Sequence, residues 1–204
     1  MARLNRRDLL RGSLLAALPG AGLGALLAAP AAATPIPDDP GHLQRLISFE
    51  LLAVEVFALA ERSRKLSPAA RRLVREIHRQ ERDHATALER ELDRLAPGTP
   101  VPTGPVNAAE AEESLTSVGI PVQFSSLTDE RDWFHQLEQL EERLQGAYFG
   151  AIRLLVDAQA STLATQIMAS EAQHETALVQ VRHPGKVDQA VPWGLVEGIL
   201  KAQG

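Results

Sequence analysis

The chain has 204 residues, 45% of them hydrophobic and 23% charged, and its 21 basic and 26 acidic side chains give a net charge of −5. That balance suits one globular domain rather than a disordered chain. With no cysteine, disulfides, thiolate zinc sites, iron–sulfur ligation and thiol nucleophiles are excluded, and the negative charge argues against general nucleic-acid binding.

Residues 1–33 read as an export signal that lies outside the fold. Arg3, Arg6, Arg7 and Arg11 form a basic start, Ser13 to Ala29 an apolar run, and Ala31-Ala32-Ala33 an A-x-A kind of cleavage site. Pro19, Gly20, Gly22 and Gly24 make the run a poor permanent span. The stretch Asn5-Arg6-Arg7-Asp8-Leu9-Leu10-Arg11 resembles the bacterial twin-arginine export motif, with Leu10 and Arg11 in place of the usual Phe and Lys. The resemblance implies export of a folded chain, often already loaded with a cofactor, to the periplasm, cell wall or exterior. Cleavage after Ala33 removes four arginines and one aspartate, leaving 17 basic and 25 acidic residues, a net charge of −8, with no span in the mature chain.

The rest reads as helices. Aromatic residues make up only 4%, and long Ala/Leu/Glu/Arg-rich stretches favour a helical protein over a sandwich or barrel. Asp39 as N-cap with Pro40 at the first helical position opens the first long helix; Ser67 with Pro68 opens the second, which stops at Ala96-Pro97-Gly98. A Pro/Gly/Ser-punctuated connection follows to about Ser126, and Asn107 with Glu110 suggests one short capped helix inside it. The third long helix runs from near Thr128 to about Val156, and the fourth from the cap Asp157 to about Val181. The bundle takes residues 34–186, and a tail at 187–204 has apolar positions from Val187 to Leu200 that suit a short helix. Two helical hairpins joined by a connection of roughly 30 residues can reach across a bundle ~40 Å tall, at about 3.3 Å per extended residue. The expected fold is therefore an all-α four-helix bundle in up-down-down-up order.

The inward stripes carry the chemistry. They read Leu43, Ile47, Glu50, Val54, Phe57; Leu73, Ile77, Glu81, His84, Leu88, Leu92, Leu95; Phe134, Leu137, Glu141, Leu144, Tyr148, Ile152, Leu155; and Leu163, Ile167, Glu171, His174, Leu178, Val181. Steps of three and four keep each set on one face, so every stripe has a carboxylate at its middle. Residues equidistant from a hairpin turn lie side by side. Glu50 and Glu81 are centred on the turn at Lys65-Leu66-Ser67, and Glu141 and Glu171 on the turn at Val156-Asp157. An unpaired buried ion costs several kcal/mol, and the stripes supply no arginine at that level. Neutralisation by protons or by cations remains. Two divalent cations would offset four carboxylates, and this oxygen-plus-imidazole set suits iron or manganese rather than structural zinc.

Glu50, Glu81-x-x-His84, Glu141 and Glu171-x-x-His174 match the ligand pattern of the ferritin-like di-metal-carboxylate superfamily, which the chain resembles over roughly residues 38–182. Within it, Leu140-Glu141, Gly146-Ala147-Tyr148-Phe149-Gly150-Ala151 and Ala169-Ser170-Glu171-Ala172-Gln173-His174 look like an exported branch that includes desiccation-related proteins. The resemblance implies that Glu81 and Glu171 bridge two metal ions, that Glu50 with His84 completes one, and that Glu141 with His174 completes the other. It implies metal oxidation or handling of oxygen or peroxide, with iron first and manganese second. It leaves open whether the chain is an enzyme, either a ferroxidase or a peroxide-disproportionating oxidoreductase. The other reading is a non-enzymatic envelope stress or desiccation bundle with a structural or vestigial metal site. A homodimer is left open, and nothing in the tail plainly reads as the extra helix of a storage cage.

Other candidates read as structural. Glu55 and Glu142 fall off the stripes, as solvated groups or outer neighbours of the centre. His135, Glu138 and Glu142 could form a second cation patch, though a solvent-facing stripe accounts for them. His78 reads as a surface histidine, and His42 and His183 as helix-end residues. Tyr148 lies seven residues beyond Glu141, about 10 Å along the axis, too far to be a ligand of the same ion, and packs in the core.

Overall fold

The protein is described by a computed structural model over residues 38–184. The expected export segment at 1–33 and the tail at 187–204 lie outside the described residues. Five α-helices and no strand occur among the described residues: α1 (Asp39–Arg62), α2 (Pro68–Leu95), α3 (Ala108–Ser117), α4 (Glu130–Ile152) and α5 (Ala158–Arg182). None of them is long and apolar enough to cross a membrane.

Each helix begins at a side-chain cap that satisfies a first-turn N–H. Ser67 accepts from Ala70 N, Asn107 from Glu110 N, Asp129 from Asp132 N, and Asp157 from Gln159 N and Ala160 N. Two expected boundaries shift. The cap of α1 is Asp38, which accepts from Gly41 N, and not Asp39. Asp39 is thereby free to accept from Val156 N and, at 2.7 Å, from Asp157 N. The last residues expected in α4 form a turn instead, with Leu154 N and Leu155 N both reaching Ala151 O. One chain end of α1 thus holds the α4–α5 turn, where free backbone donors would otherwise face a half-buried site.

That contact also fixes the topology. The start of α1 lies beside the end of α4, so these two helices are antiparallel and α4 runs parallel to α2. The order is up-down-down-up, as expected. The hairpins α1/α2 and α4/α5 pack with α1 against α4 and α2 against α5. The connection crosses α1 closely: a Cβ added at Gly104 would lie 2.6 Å from Leu51 Cβ, so only glycine fits there. α3 then packs on α1. It ends in a left-handed Gly119 (φ 87°), with Gly119 N bonded to Thr116 O and Ile120 N to Leu115 O. This Schellman turn buries Ile120 and redirects the chain toward α4.

Leu43, Ile47, Phe57, Leu88, Phe134 and Leu144 are fully buried in the core. Burial of such side chains contributes about 1.5–3 kcal/mol each. The stripes are inward in outline and differ in detail. Val54, Leu73 and Leu163 are half-buried, while Ala53, Val74 and Ala164 take the innermost positions. Val181 is exposed and Val179 is buried. Where helices approach closely, the small residue of an adjacent pair faces the axis and the larger one covers the seam.

Candidate metal centre

The bundle puts one carboxylate from each long helix on its axis. Glu50, Glu81, Glu141 and Glu171 all have 0% relative exposure. Apolar neighbours one turn away, such as Ile47, Ile77, Leu137 and Ile167, are buried on the same faces and leave these four side chains no outward route. The i, i+3 step carries His84 and His174 to the face of Glu81 and Glu171. The His174 side chain is 5% exposed and that of His84 13%.

Each imidazole points at a carboxylate of the other hairpin. His84 Nδ1 lies 2.7 Å from Glu171 Oε1, 3.7 Å from Glu50 Oε2 and 3.8 Å from Glu81 Oε2. His174 Nδ1 lies 2.9 Å from Glu81 Oε1, 3.4 Å from Glu171 Oε2 and 3.7 Å from Glu141 Oε1. The two rings are 5.7 Å apart and within 21° of parallel. The donor atoms form two sets, each within 4.8 Å: Glu50, Glu81, His84, Glu171, and Glu81, Glu141, Glu171, His174. Glu81 and Glu171 belong to both.

The imidazoles and carboxylates meet at ion-pair distance, but without well-formed hydrogen bonds. Seven of the eight carboxylate oxygens, and Nδ1 of both histidines, are buried without a hydrogen-bond partner. The eighth oxygen, Glu50 Oε1, accepts from the Tyr148 hydroxyl. Native interiors rarely tolerate even isolated orphans of this kind. Nine in one place fit a shared partner that donates no hydrogen bond, which is what a cation is. Oxygen and imidazole donors without sulfur suit hard or borderline divalent ions.

Without a cation, protons must supply the counter-charge. Burial, reinforced by the charge of Glu171, pushes Glu50 and Glu141 well above the ordinary carboxyl value. Burial opposes the charged form of His84, but Glu171, Glu50 and Glu81 outweigh it and push the imidazole up to about 12. His174 moves the same way: its burial is outweighed by Glu141, Glu171 and Glu81. Glu171 is the exception, because His174 and His84 overcome its burial and hold it at about 2. Burial and then Glu50 raise the Tyr148 hydroxyl, so it keeps the proton that it donates to Glu50 Oε1.

All six residues expected as ligands meet at this centre. Glu55 is turned aside to Arg62, 3.0 Å away, and Glu142 lines a cleft between α1 and α4. The second patch of His135, Glu138 and Glu142 is no cation site, because Arg182 bonds Glu138 and lies 3.1 Å from His135 Nδ1. His78 is not simply a surface residue, since its Nδ1 meets Glu61 Oε2 at 3.2 Å with the ring 19% exposed. Tyr148 is fully buried in the core, as expected, and its hydroxyl in addition reaches across to Glu50 on α1. Its signal in the sequence is its place on an inward stripe, where a buried hydroxyl needs a partner. The sequence reading missed Gln80, whose Oε1 lies 2.9 Å from His174 Nε2, and the buried pair in which Gln145 donates to Glu175.

In comparison with known proteins, the ferritin-like domain family matches residues 38–183, and the chain belongs to that family. No curated protein and no solved structure matches it.

Proposed function

From membership of the ferritin-like family as premise, we propose that this is an exported protein whose Glu50, Glu81, His84, Glu141, Glu171 and His174 hold two divalent metal ions. Iron is the first choice and manganese the second, and the centre serves metal oxidation or the handling of oxygen or peroxide. The observation that supports the reading is the set of nine buried donor atoms that lack a hydrogen-bond partner, divided between two groups that share Glu81 and Glu171. Bound there, a redox-active ion pair would supply the electrons for reduction of oxygen or peroxide. The chain's own part is to hold and orient. Glu81 and Glu171 face both groups, Tyr148 fixes Glu50 through its donated hydrogen bond, and the surrounding side chains exclude water from the four carboxylates.

Export rests on the basic start, the apolar run and the paired Arg6 and Arg7 of the sequence. The catalytic reading is tested by loading the protein with ferrous ion under anaerobic conditions and then admitting oxygen or peroxide. Stoichiometric uptake followed by oxidant consumption is expected. Uptake without oxidant consumption would make the centre structural, and the oxidoreductase reading would fail.

A further inference from the structure

The two hairpins repeat one ligand pattern, yet the positions just before the two shared glutamates differ: Gln80 precedes Glu81 and Ser170 precedes Glu171. Gln80 reaches the opposite hairpin, with Oε1 at 2.9 Å from His174 Nε2. The other end of that amide, Nε2, donates to Glu76 Oε1 at 3.1 Å, so the oxygen is the atom turned toward the imidazole. An acceptor there requires a proton on His174 Nε2. The nitrogen left for a cation is Nδ1, which already faces Glu81, Glu171 and Glu141.

His84 has no counterpart of this arrangement. The shorter Ser170 side chain stays on its own helix, its Oγ 3.4 Å from the same His174 Nε2 and farther than Gln80 Oε1, and does not reach across to His84. The two donor sets differ in burial in the same sense: every member of the His174 set is buried, whereas His84 is only half-buried.

We propose that Gln80 is a positioning residue that makes the two halves of the centre unequal. It keeps the proton on His174 Nε2 and the ring turned so that Nδ1 is the nitrogen presented to a cation, so the cation at Glu81, Glu141, Glu171 and His174 is the tighter and slower to exchange. The cation at Glu50, Glu81, Glu171 and His84 is the exchangeable one. This rests on the metal-binding reading above. Outer partners of a metal-bound histidine typically matter by about 10–100-fold in affinity, because they fix ring orientation and tautomer before the ion arrives.

The test is a Co(II) titration of the purified protein, followed by calorimetry and by visible absorption. The wild type should take up two ions in two resolved steps. Gln80→Leu keeps the bulk and removes the acceptor, so the tighter step should weaken by at least about tenfold while the weaker step stays within about twofold. Gln80→Glu restores an acceptor oxygen and should recover most of the lost affinity. If the wild type binds no Co(II), the metal-binding reading itself fails. If it binds two ions and Gln80→Leu leaves both steps unchanged, or weakens both equally, the role of Gln80 is overturned and the metal reading stands. Equal losses for Gln80→Leu and Gln80→Glu would also overturn it, because packing alone would explain them.

Discussion

Replacing Tyr148 with Phe removes one oxygen from a fully buried position and leaves Glu50 Oε1 without its only hydrogen-bond donor. The ring volume is kept, so no cavity forms and the change isolates the hydrogen bond. In the metal-free protein burial first, and then the charge of Glu171, raise Glu50 and favour its protonated form. The bond then joins two neutral groups, and its loss should cost about 1 kcal/mol. With Glu50 an ionised ligand in the loaded protein, as proposed, the bond has a charged acceptor, and such bonds contribute about 1.5–3 kcal/mol. The variant should therefore lose about 1 kcal/mol more in the loaded form than in the metal-free form. By linkage this is a weakening of metal binding by roughly fivefold. Denaturant melts of both forms, together with a Co(II) titration, measure the two quantities independently. Equal destabilisation of both forms, with metal affinity unchanged, would refute the positioning role of Tyr148 and return it to core packing.

The ligand assignment predicts that Glu81→Ala or Glu171→Ala loses most bound metal by elemental analysis, whereas Glu55→Ala or Glu142→Ala keeps it. Equal effects in all four would contradict the assignment. pH should act on the metal-free protein through raised groups. Glu50 and Glu141 lie above their ordinary value of 4.5, and His84 rises from 6.5 to about 12, so the folded state binds excess protons across those windows. Stability should then fall as pH rises from about 5 to 9, because deprotonation favours the unfolded chain. The lowered Glu171 acts oppositely, but only as pH falls from 4.5 toward about 2. Metal competes with protons, so the gap in Tm between loaded and metal-free protein should widen with pH; superimposed melting curves would defeat this. Export predicts that changing Arg6 and Arg7 together to Lys leaves unprocessed precursor in the cytoplasm, scored by fractionation and immunoblot, while unchanged processing would point to the general secretory route.

The buried cluster of Glu50, Glu81, Glu141 and Glu171 is legible in the sequence because these residues are of the wrong type for where they sit. Glu81 and His84, between Ile77 and Leu88 on a stripe whose other members are leucine and isoleucine, declare buried polar groups in the sequence alone. The height of Glu81 followed from the turns, since antiparallel neighbours are equidistant from them. Contacts that join separate elements were not legible in the same way. Tyr148 was measured against its own helix, but its partner is on α1; Arg182 reaches Glu138 from the far end of α5. Gln80 looks like any polar flank residue until α5 is placed beside it. Asp38 and Asp39 are chemically alike as caps, and the choice between them is made by the α4–α5 turn, which needs an acceptor for Val156 N and Asp157 N. Val54 against Ala53, and Leu73 against Val74, were decided by how closely neighbouring helices approach, a quantity that no single helix carries.

Two cations side by side, held in common by Glu81 and Glu171, are what the proposed function requires. Anomalous X-ray scattering from crystals of the Mn(II)- or Fe(II)-loaded protein tests this most directly. Two peaks on the bundle axis are expected, about 3.5–4 Å apart, each within bonding distance of both glutamates, with His84 at one and His174 at the other. A single peak, or metal confined to the surface, would contradict the proposed function.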